Sequence, residues 1–535
     1  MFRTQEQANF NAIVTKHMAA PDAPLLLEGA TGLGKTRAYL QAVIAAAVSG
    51  KRIAIALPSH LLIDQLLASQ DLAITQPSAV RVTTFKPARY FLTKTEFAAH
   101  KLSAISADVM LCTSASVIID QRLGGDYNGA TTRDYILFDE ADQLPDAAAL
   151  QSDLEISGLQ FKDHNIQAET AQKATQDILK RPNLDPELKA AARIILEAIA
   201  EPAWYHHVGI TDDGGVMLFH KMPGRLLKTV ANRKTVAFIS ATLSVADRFD
   251  DFKRALGIQK ESALSAILEP SHHGTLRFHV SDLQVNAPEW MALIHKTVLE
   301  APHPVLVVTP SHQLAQTLGL LIPAAVVRTV SESATEAATR VADTGVLIAA
   351  GAWAGLDTPV QWASVVIPRI PYERPVVLDG QQESSFLETR NTALRRMRQV
   401  IGRGLRRPEA SCDVYVLDGR YKNIEAFVPN RFRDGWAGRH FLEGSRQEMV
   451  LSKIERDPAV RKQALKRYGH LCMGCGFLPK VISQLEVHHL FPLAEGGERL
   501  TAISDLAVLC ANCHRLAHST APPLSLEAVK ALSNE

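Results

Sequence analysis

Gly29-Ala-Thr-Gly32-Leu-Gly34-Lys35-Thr36 is the first run in this 535-residue chain whose residue types and spacing can do chemistry. Glycines at Gly29, Gly32 and Gly34 let backbone N–H groups close around phosphate oxygens, and a helix start adds the favourable end of its dipole. Lys35 is spaced to reach the outer phosphates of ATP, and Thr36 offers a hydroxyl to Mg2+. The run follows apolar Leu25 to Leu27 and opens the stretch Arg37 to Val48, the strand-then-helix context this loop requires. Asp139-Glu140-Ala141-Asp142 follows apolar Tyr135 to Phe138 directly, so its first carboxylate leaves a strand at the end where open parallel sheets bind ligands. Asp139 is expected to hold the magnesium and Glu140 to orient and deprotonate the attacking water. In Arg395-Arg-Met-Arg-Gln399-Val-Ile-Gly402-Arg403-Gly-Leu-Arg406-Arg407, Arg403 and Arg406 share a helical face suited to stabilising a transferring phosphoryl. Arg395, Arg396 and Arg398 fit an exposed basic helix on a phosphate backbone equally well.

A second set of residues ends the chain. Cys472-Met-Gly-Cys475 and Cys510-Ala-Asn-Cys513 are two CxxC knuckles, the donor set of one closed, tetrahedral structural Zn2+ site. Between them stand His488 and His489, and after them His514 and His518, four apart on a helix opening at the second knuckle, so both imidazoles can face one metal. So short a segment buries too little apolar area to fold alone, and the metal must contribute.

These residues need elements to position them. From Leu25 to about Arg420, short apolar runs alternate with amphipathic stretches, the pattern of βαβ units and parallel sheets. Leu25 to Leu27, Ile53 to Leu57, Tyr135 to Phe138 and Thr235 to Ile239 predict one sheet; Val305 to Val308, Val346 to Ala349, Val365 to Ile367 and Val414 to Leu417 predict another. The expected architecture is an α/β chain: lobe one over 1–257, with a helical insertion at about 145–230, and lobe two over 258–428. A linker at 429–455 and a zinc-containing domain at 456–535 follow. Lysine plus arginine (57) balances aspartate plus glutamate (56), so any polyanion-binding surface must be local. Between Arg431 and Arg467 ten basic residues face five acidic ones, marking one such patch. The N-terminal stretch has no apolar targeting segment and no run is long and apolar enough to span a membrane, which points to a cytoplasmic protein without membrane partners.

The first set of motifs resembles superfamily 2 helicases of the DinG and XPD branch. Pro58 to Leu66 resembles motif Ia, Ser240-Ala-Thr-Leu243 motif III, Trp353-Ala-Gly355-Leu-Asp357 motif V, Gln399 to Arg406 the QxxGRxxR motif, and Val416 to Arg420 the closing LDxR. Over about residues 1 to 440 the resemblance implies two RecA-like lobes with ATP between them, contacts to it from Asp357 and Gln399, and 5′-to-3′ movement on single-stranded or forked DNA. Arg3 with Gln7, or Gln5, resembles the adenine-reading motif, and the insertion stands where the family places its arch. Three departures stand out. Cys112 is the one cysteine where most members place four, so counting excludes an iron–sulfur cluster. DEAD replaces DEAH, and Ala354 replaces the glutamate of motif V.

The C-terminal set resembles the ββα-metal fold of HNH endonucleases. That likeness implies His488 as a ligand and His489 as general base, with His514 and His518 completing a site for Mg2+ or Mn2+. Asp505 replaces the family's asparagine, which would raise the pKa of an imidazole it orients. The fusion resembles accessory helicases of type IV (IV-A) CRISPR–Cas systems, implying a crRNA-guided effector complex and its R-loop as partners, in interference against invading DNA. A repair or restriction helicase–nuclease without guide RNA, and a motor whose HNH module only binds DNA, are the alternatives.

Overall fold

The computed structural model describes residues 2–424, 458–490, 503–520 and 523–533, apart from 78, 167–168, 204, 260–262, 270–273, 342–344, 354–355, 357–359, 374, 384–385 and 406–409; for 386–387, 458–460 and 489 it describes the backbone alone. The chain divides into two compact units, Met1–His440 and Phe441–Glu535. The expected linker, 429–455, lies outside the described residues.

In the first unit, β1 (Leu25–Gly29), β2 (Ile53–Leu57), β3 (Val82–Thr84), β4 (Val109–Thr113) and β5 (Tyr135–Phe138) precede the insertion. The insertion holds β6 (Leu154–Ile156), β7 (His206–Ile210) and β8 (Val216–His220); β9 (Val236–Ser240) and β10 (Leu264–Leu268) follow. The first sheet runs β10-β1-β9-β5-β2-β4-β3, all parallel. Leu25 and Leu27 pack into one core and Leu26 into the core on the opposite face. Burial on both faces is why these strands read as continuous apolar runs.

Lobe two contributes β11 (Thr275–Val280), β12 (Val305–Thr309), β13 (Val326–Val327), β14 (Val346–Ala350) and β15 (Ser364–Ile367). The short hairpin β16 (Val377–Leu378) and β17 (Gln381–Gln382) comes next, then β18 (Ser411–Val416). Its sheet runs β11-β18-β15-β12-β14-β13, again parallel. The two RecA-like sheets expected from the sequence are therefore present.

Two expectations change. The lobe boundary at 257 moves, because β10 pairs with β1 and belongs to the first sheet; as a partly exposed edge strand it carries little of the apolar signal that marks a central one. The insertion is not helical alone. Beside Ala171–Lys180 and Pro186–Ala200 it carries the antiparallel sheet β6-β8-β7, whose β7–β8 hairpin turns at Asp213-Gly214. It also reaches lobe two: Thr211 bridges Leu378, Ile210 N donates to Asp379 Oδ1 at 3.0 Å, and His207 Nδ1 lies 2.7 Å from Glu383 Oε1. Cys112 is a sealed core residue of β4, its thiol pushed up to about 12 by burial.

Arg133, 2% exposed, ties the strand starts together. Its guanidinium donates to the carbonyls of Ile53, Ala104, Ile105, Ala107 and Asp108. Burial lowers its pKa to about 10, which still leaves it charged at neutral pH. Arg133→Met strands those buried acceptors and is expected to lower the stability of the first unit by about 2–4 kcal/mol, read as an earlier first unfolding transition.

In the second unit β19 (Leu485–His489) and β20 (Leu506–Cys510) pair antiparallel and helix Ala511–Ala517 follows, a ββα arrangement. Helices Pro458–Tyr468 and Leu526–Ser533 flank it, and Leu485, Val508, Leu509 and Val529 lie in its core. Among the described residues no helix is long and apolar enough to cross a membrane.

Candidate functional site

β1 ends in the glycine-rich turn, and helix Lys35–Val48 starts from it with Gly34 as its N-cap. Gly32 and Gly34 have φ of 85° and 78°, which side chains with a Cβ rarely adopt. Gly34 is doubly constrained, since a Cβ there would meet Gln7 Nε2 at 2.3 Å. Of the two N-terminal glutamines, it is Gln7 that meets the loop. Gln7, 2% exposed, donates from Nε2 to Gly34 O at 2.9 Å and accepts from Arg3 N at 2.8 Å, whereas Gln5 pairs with Asn9 at the surface.

A cleft of about 380 Å³ opens over this turn, lined by Lys35, Thr36, Asp139, Glu140, Gln399 and Arg403 among others. The structure thus brings the phosphate loop, the acidic pair and the arginine-rich helix of lobe two into one place. Asp139 takes a hydrogen bond from Tyr39 Oη at 2.8 Å and another from Glu140 N at 2.9 Å. Burial, then the Glu140 charge, raises the Asp139 carboxyl to about 6, against the Tyr39 bond and Lys35. Burial also raises the Tyr39 hydroxyl, keeping it a donor. Glu140 has φ 46°, a left-handed conformation that turns the chain sharply behind Asp139, and its Oε2 accepts from Ser240 Oγ at 3.2 Å. Asp142 accepts from Ser240 Oγ at 2.5 Å and from Gln399 Nε2 at 2.6 Å, so one carboxylate joins the end of β9 to lobe two.

Arg403 donates through Nη1 to Leu356 O while lining the cleft. Arg406 and Asp357 lie outside the described residues. The neighbouring arginines are not an exposed basic helix. Arg395, 7% exposed, pairs with Asp251 at 2.6 Å; Arg396 pairs with Asp146 and Glu373; Arg398, 3% exposed, pairs with Glu28 at 2.6 Å. Every one of those acids is distant in sequence, so no local pattern announces the pairing. Tyr39 and Glu28 were likewise unmarked, each buried within an apolar stretch.

In the second unit the sulfurs of Cys472, Cys475, Cys510 and Cys513 lie within 4.8 Å of one another, and Cys475 Sγ is 3.8 Å from Cys510 Sγ. Tetrahedral bonds of ~2.3 Å to zinc set sulfurs ~3.8 Å apart, so the donor set fits that ion. Burial opposes ionisation of Cys472, but N–H groups of Cys510, Cys475 and Gly474 outweigh it and bring the thiol down to about 7. His488, His514 and His518 form a second cluster with ligand atoms within 4.8 Å, the ring centroids 4.9 to 5.3 Å apart. His488, 3% exposed, comes from β19 and the other two from helix Ala511–Ala517 and its C-cap. The sequence reading missed Glu486, two residues before His488 on β19, whose Oε2 lies 2.6 Å from His514 Nδ1. That contact leaves Nε2 of His514 to face a metal. His489 closes β19, its side chain outside the description; Asp505 ends a 3-10 turn, and its carbonyl accepts from Leu490 N at 2.9 Å.

The DEAD/DEAH box helicase family matches residues 4–172, the helicase C-terminal domain family 294–436 and the HNH endonuclease family 472–520. The chain joins a DEAD/DEAH-box helicase to an HNH endonuclease domain. Solved structures of an XPD helicase and of apo XPD share the fold of the helicase, with TM-scores of 0.57 and 0.55 at 15% identity, covering 81% of this chain and 98% of theirs. Xpd4 of S. tokodaii aligns with a TM-score of 0.50 at 14% identity over 78% of this chain and 96% of its own. The type IV methyl-directed restriction enzyme EcoKMcrA of Escherichia coli (strain K12) is 35% identical over 85 residues, 14% of this chain and 30% of that enzyme.

Two outcomes follow for the HNH domain. Cys475→Ser is expected to abolish retention of zinc, seen by atomic absorption, and with it the near-ultraviolet signal of the folded domain. Glu486→Gln is expected to weaken Co2+ binding at the three-histidine cluster about tenfold, measured by titrating the visible absorption of the ion, while the cysteine site stays loaded.

Proposed function

We propose that this chain is an ATP-dependent DNA translocase or helicase whose HNH domain cuts DNA, and that it acts as a restriction-type helicase–nuclease without guide RNA. The observation that carries the motor half is the single cleft holding Lys35, Thr36, Asp139 and Glu140 from lobe one with Gln399 and Arg403 from lobe two. Lys35 and the loop N–H groups bind the phosphates, Asp139 and Thr36 would hold magnesium, and Glu140 takes the proton of the attacking water. Arg403 stabilises charge on the transferred phosphoryl, and Arg406 is assigned the same role by motif. Gln7 bounds the loop on the side where an adenine is read. Asp357 is assigned by motif alone. The 5′-to-3′ direction rests on the DinG and XPD resemblance.

The nuclease half is supported by the HNH match and the three-histidine cluster. A divalent metal bound there supplies electrostatic stabilisation of the phosphodiester and its leaving oxygen. His489 is the proposed base that deprotonates water, and Glu486 fixes the tautomer of His514. EcoKMcrA is by name a restriction enzyme, which favours action without guide RNA over the type IV CRISPR–Cas reading drawn from domain order.

Purified chain, forked DNA, ATP and Mg2+ or Mn2+, with no RNA present, test both halves. DNA-stimulated ATP hydrolysis is expected, and Lys35→Ala should remove it by at least about a thousandfold. Cleavage of the DNA is expected and should disappear in His489→Ala. Cutting that appears only on adding a guide-RNA complex would overturn the restriction-type reading; hydrolysis surviving Lys35→Ala would overturn the motor site.

A further inference from the structure

Glu28 and Arg398 make an ion pair whose side chains are 0% and 3% exposed, among the described residues the most deeply buried of the ion pairs that helix Phe386–Ile401 makes to lobe one. Arg398 Nη2 donates to Glu28 Oε1 at 2.6 Å, and Arg398 Nη1 donates to Ser244 O at 2.5 Å. Glu28 Oε2 accepts from Ser244 N at 2.6 Å, and Arg398 Nη2 also reaches Ala241 O at 3.3 Å. Three segments meet in this knot. Glu28 immediately precedes Gly29 on the strand that enters the phosphate loop; residues 241–244 leave the end of β9; Arg398 immediately precedes Gln399. Glu28 and Ser240 are also register partners across β1 and β9.

Neither charge lines the nucleotide cleft, but Arg398 adjoins Gln399, which does, and Glu28 stands at the start of the phosphate loop whose Thr31, Lys35 and Thr36 line it. Burying an ion costs several kcal/mol, which the partner offsets only when the geometry is good and further hydrogen bonds assist; here both carboxylate oxygens of Glu28 and both Nη atoms of Arg398 are engaged. The outer pairs differ: Arg396 and its acids are 27% to 48% exposed and contribute little. A helix seated slightly out of place would leave Glu28 and Arg398 dry and unmatched, so the pair favours one seating strongly over its neighbours. In that seating Gly402 lies so close to Thr31 of the phosphate loop that a Cβ would meet its hydroxyl at 2.6 Å.

We infer that Glu28 and Arg398 are positioning residues for ATP hydrolysis: the buried pair sets the register of the lobe-two helix against the phosphate loop and so places Gln399 and Arg403 over the cleft. The inference rests on the motor reading given above. It assigns the pair no contact with nucleotide, so its loss should act on turnover rather than on binding.

The test is a double-mutant cycle in the full-length chain with Glu28→Gln, Arg398→Gln and the double variant, assayed for ATP hydrolysis on single-stranded DNA. Each single variant is expected to lose about tenfold in kcat while KM for ATP and affinity for a fluorescent ATP analogue stay within about threefold. The double variant, which leaves no lone buried charge, is expected to lose no more than the worse single one. Arg398→Lys, which keeps the charge but bridges fewer acceptors, should fall between wild type and Arg398→Gln. Wild-type kcat in either single variant, losses that multiply in the double, or analogue affinity falling together with kcat would overturn the inference. A wild-type chain that hydrolyses no ATP overturns the motor reading itself, an outcome told apart from these by the wild-type rate alone.

Discussion

Three cations within four residues, Arg395, Arg396 and Arg398, sit on the helix that closes the nucleotide cleft, and the two buried ones, Arg395 and Arg398, need carboxylates before that helix can be buried. Lobe one supplies Asp251, Asp146 and Glu28, from three different parts of its chain. An unmatched guanidinium in such a place would cost more than the apolar area buried beside it returns, so charge matching decides where the helix lies. Everything at the cleft follows from that placement: Gln399 reaches Asp142, Arg403 reaches the backbone at Leu356, and the Gly402 position faces Thr31.

The second unit solves a different problem. Its core is small, and two knuckles bring four sulfurs to the spacing of a tetrahedral ion, which when bound would add what apolar burial cannot. Leu485 and Cys510 are register partners across the β19–β20 ladder, so the hairpin that carries His488 is tied at one end to a metal ligand. The cysteine cluster therefore braces one end of the hairpin whose other end carries the histidine cluster.

The central strands were legible in the sequence because a parallel strand buried on both faces leaves an unbroken apolar run, as in Ile53–Leu57 and Tyr135–Phe138. Edge strands such as Val82–Thr84 and Leu264–Leu268 bury less and leave no such mark. The β7–β8 hairpin carried a readable Asp213-Gly214 turn, but the helical patterns on its N-terminal side dominated the reading. Groups that act through local spacing, the phosphate loop and the paired cysteines, could be named outright. Glu28, Tyr39 and Glu486 could not, because their partners stand far away in sequence and a lone acid or tyrosine in an apolar strand or helix has no periodic signature. The same limit made Arg395 and Arg398 look like surface residues.

Asp142, the last acid of the DEAD run, only accepts hydrogen bonds when ionised. Ser240 and Gln399 both turn donors toward it, Gln399 through Nε2. Burial, then the neighbouring Glu140 charge, raises the Asp142 carboxyl to about 7, opposed by the Ser240 bond. A charge-assisted bond of this kind contributes roughly 1.5–3 kcal/mol when dry. Asp142 thus links the acidic pair, the end of β9 and the helix of lobe two through hydrogen bonds that both partners donate to it.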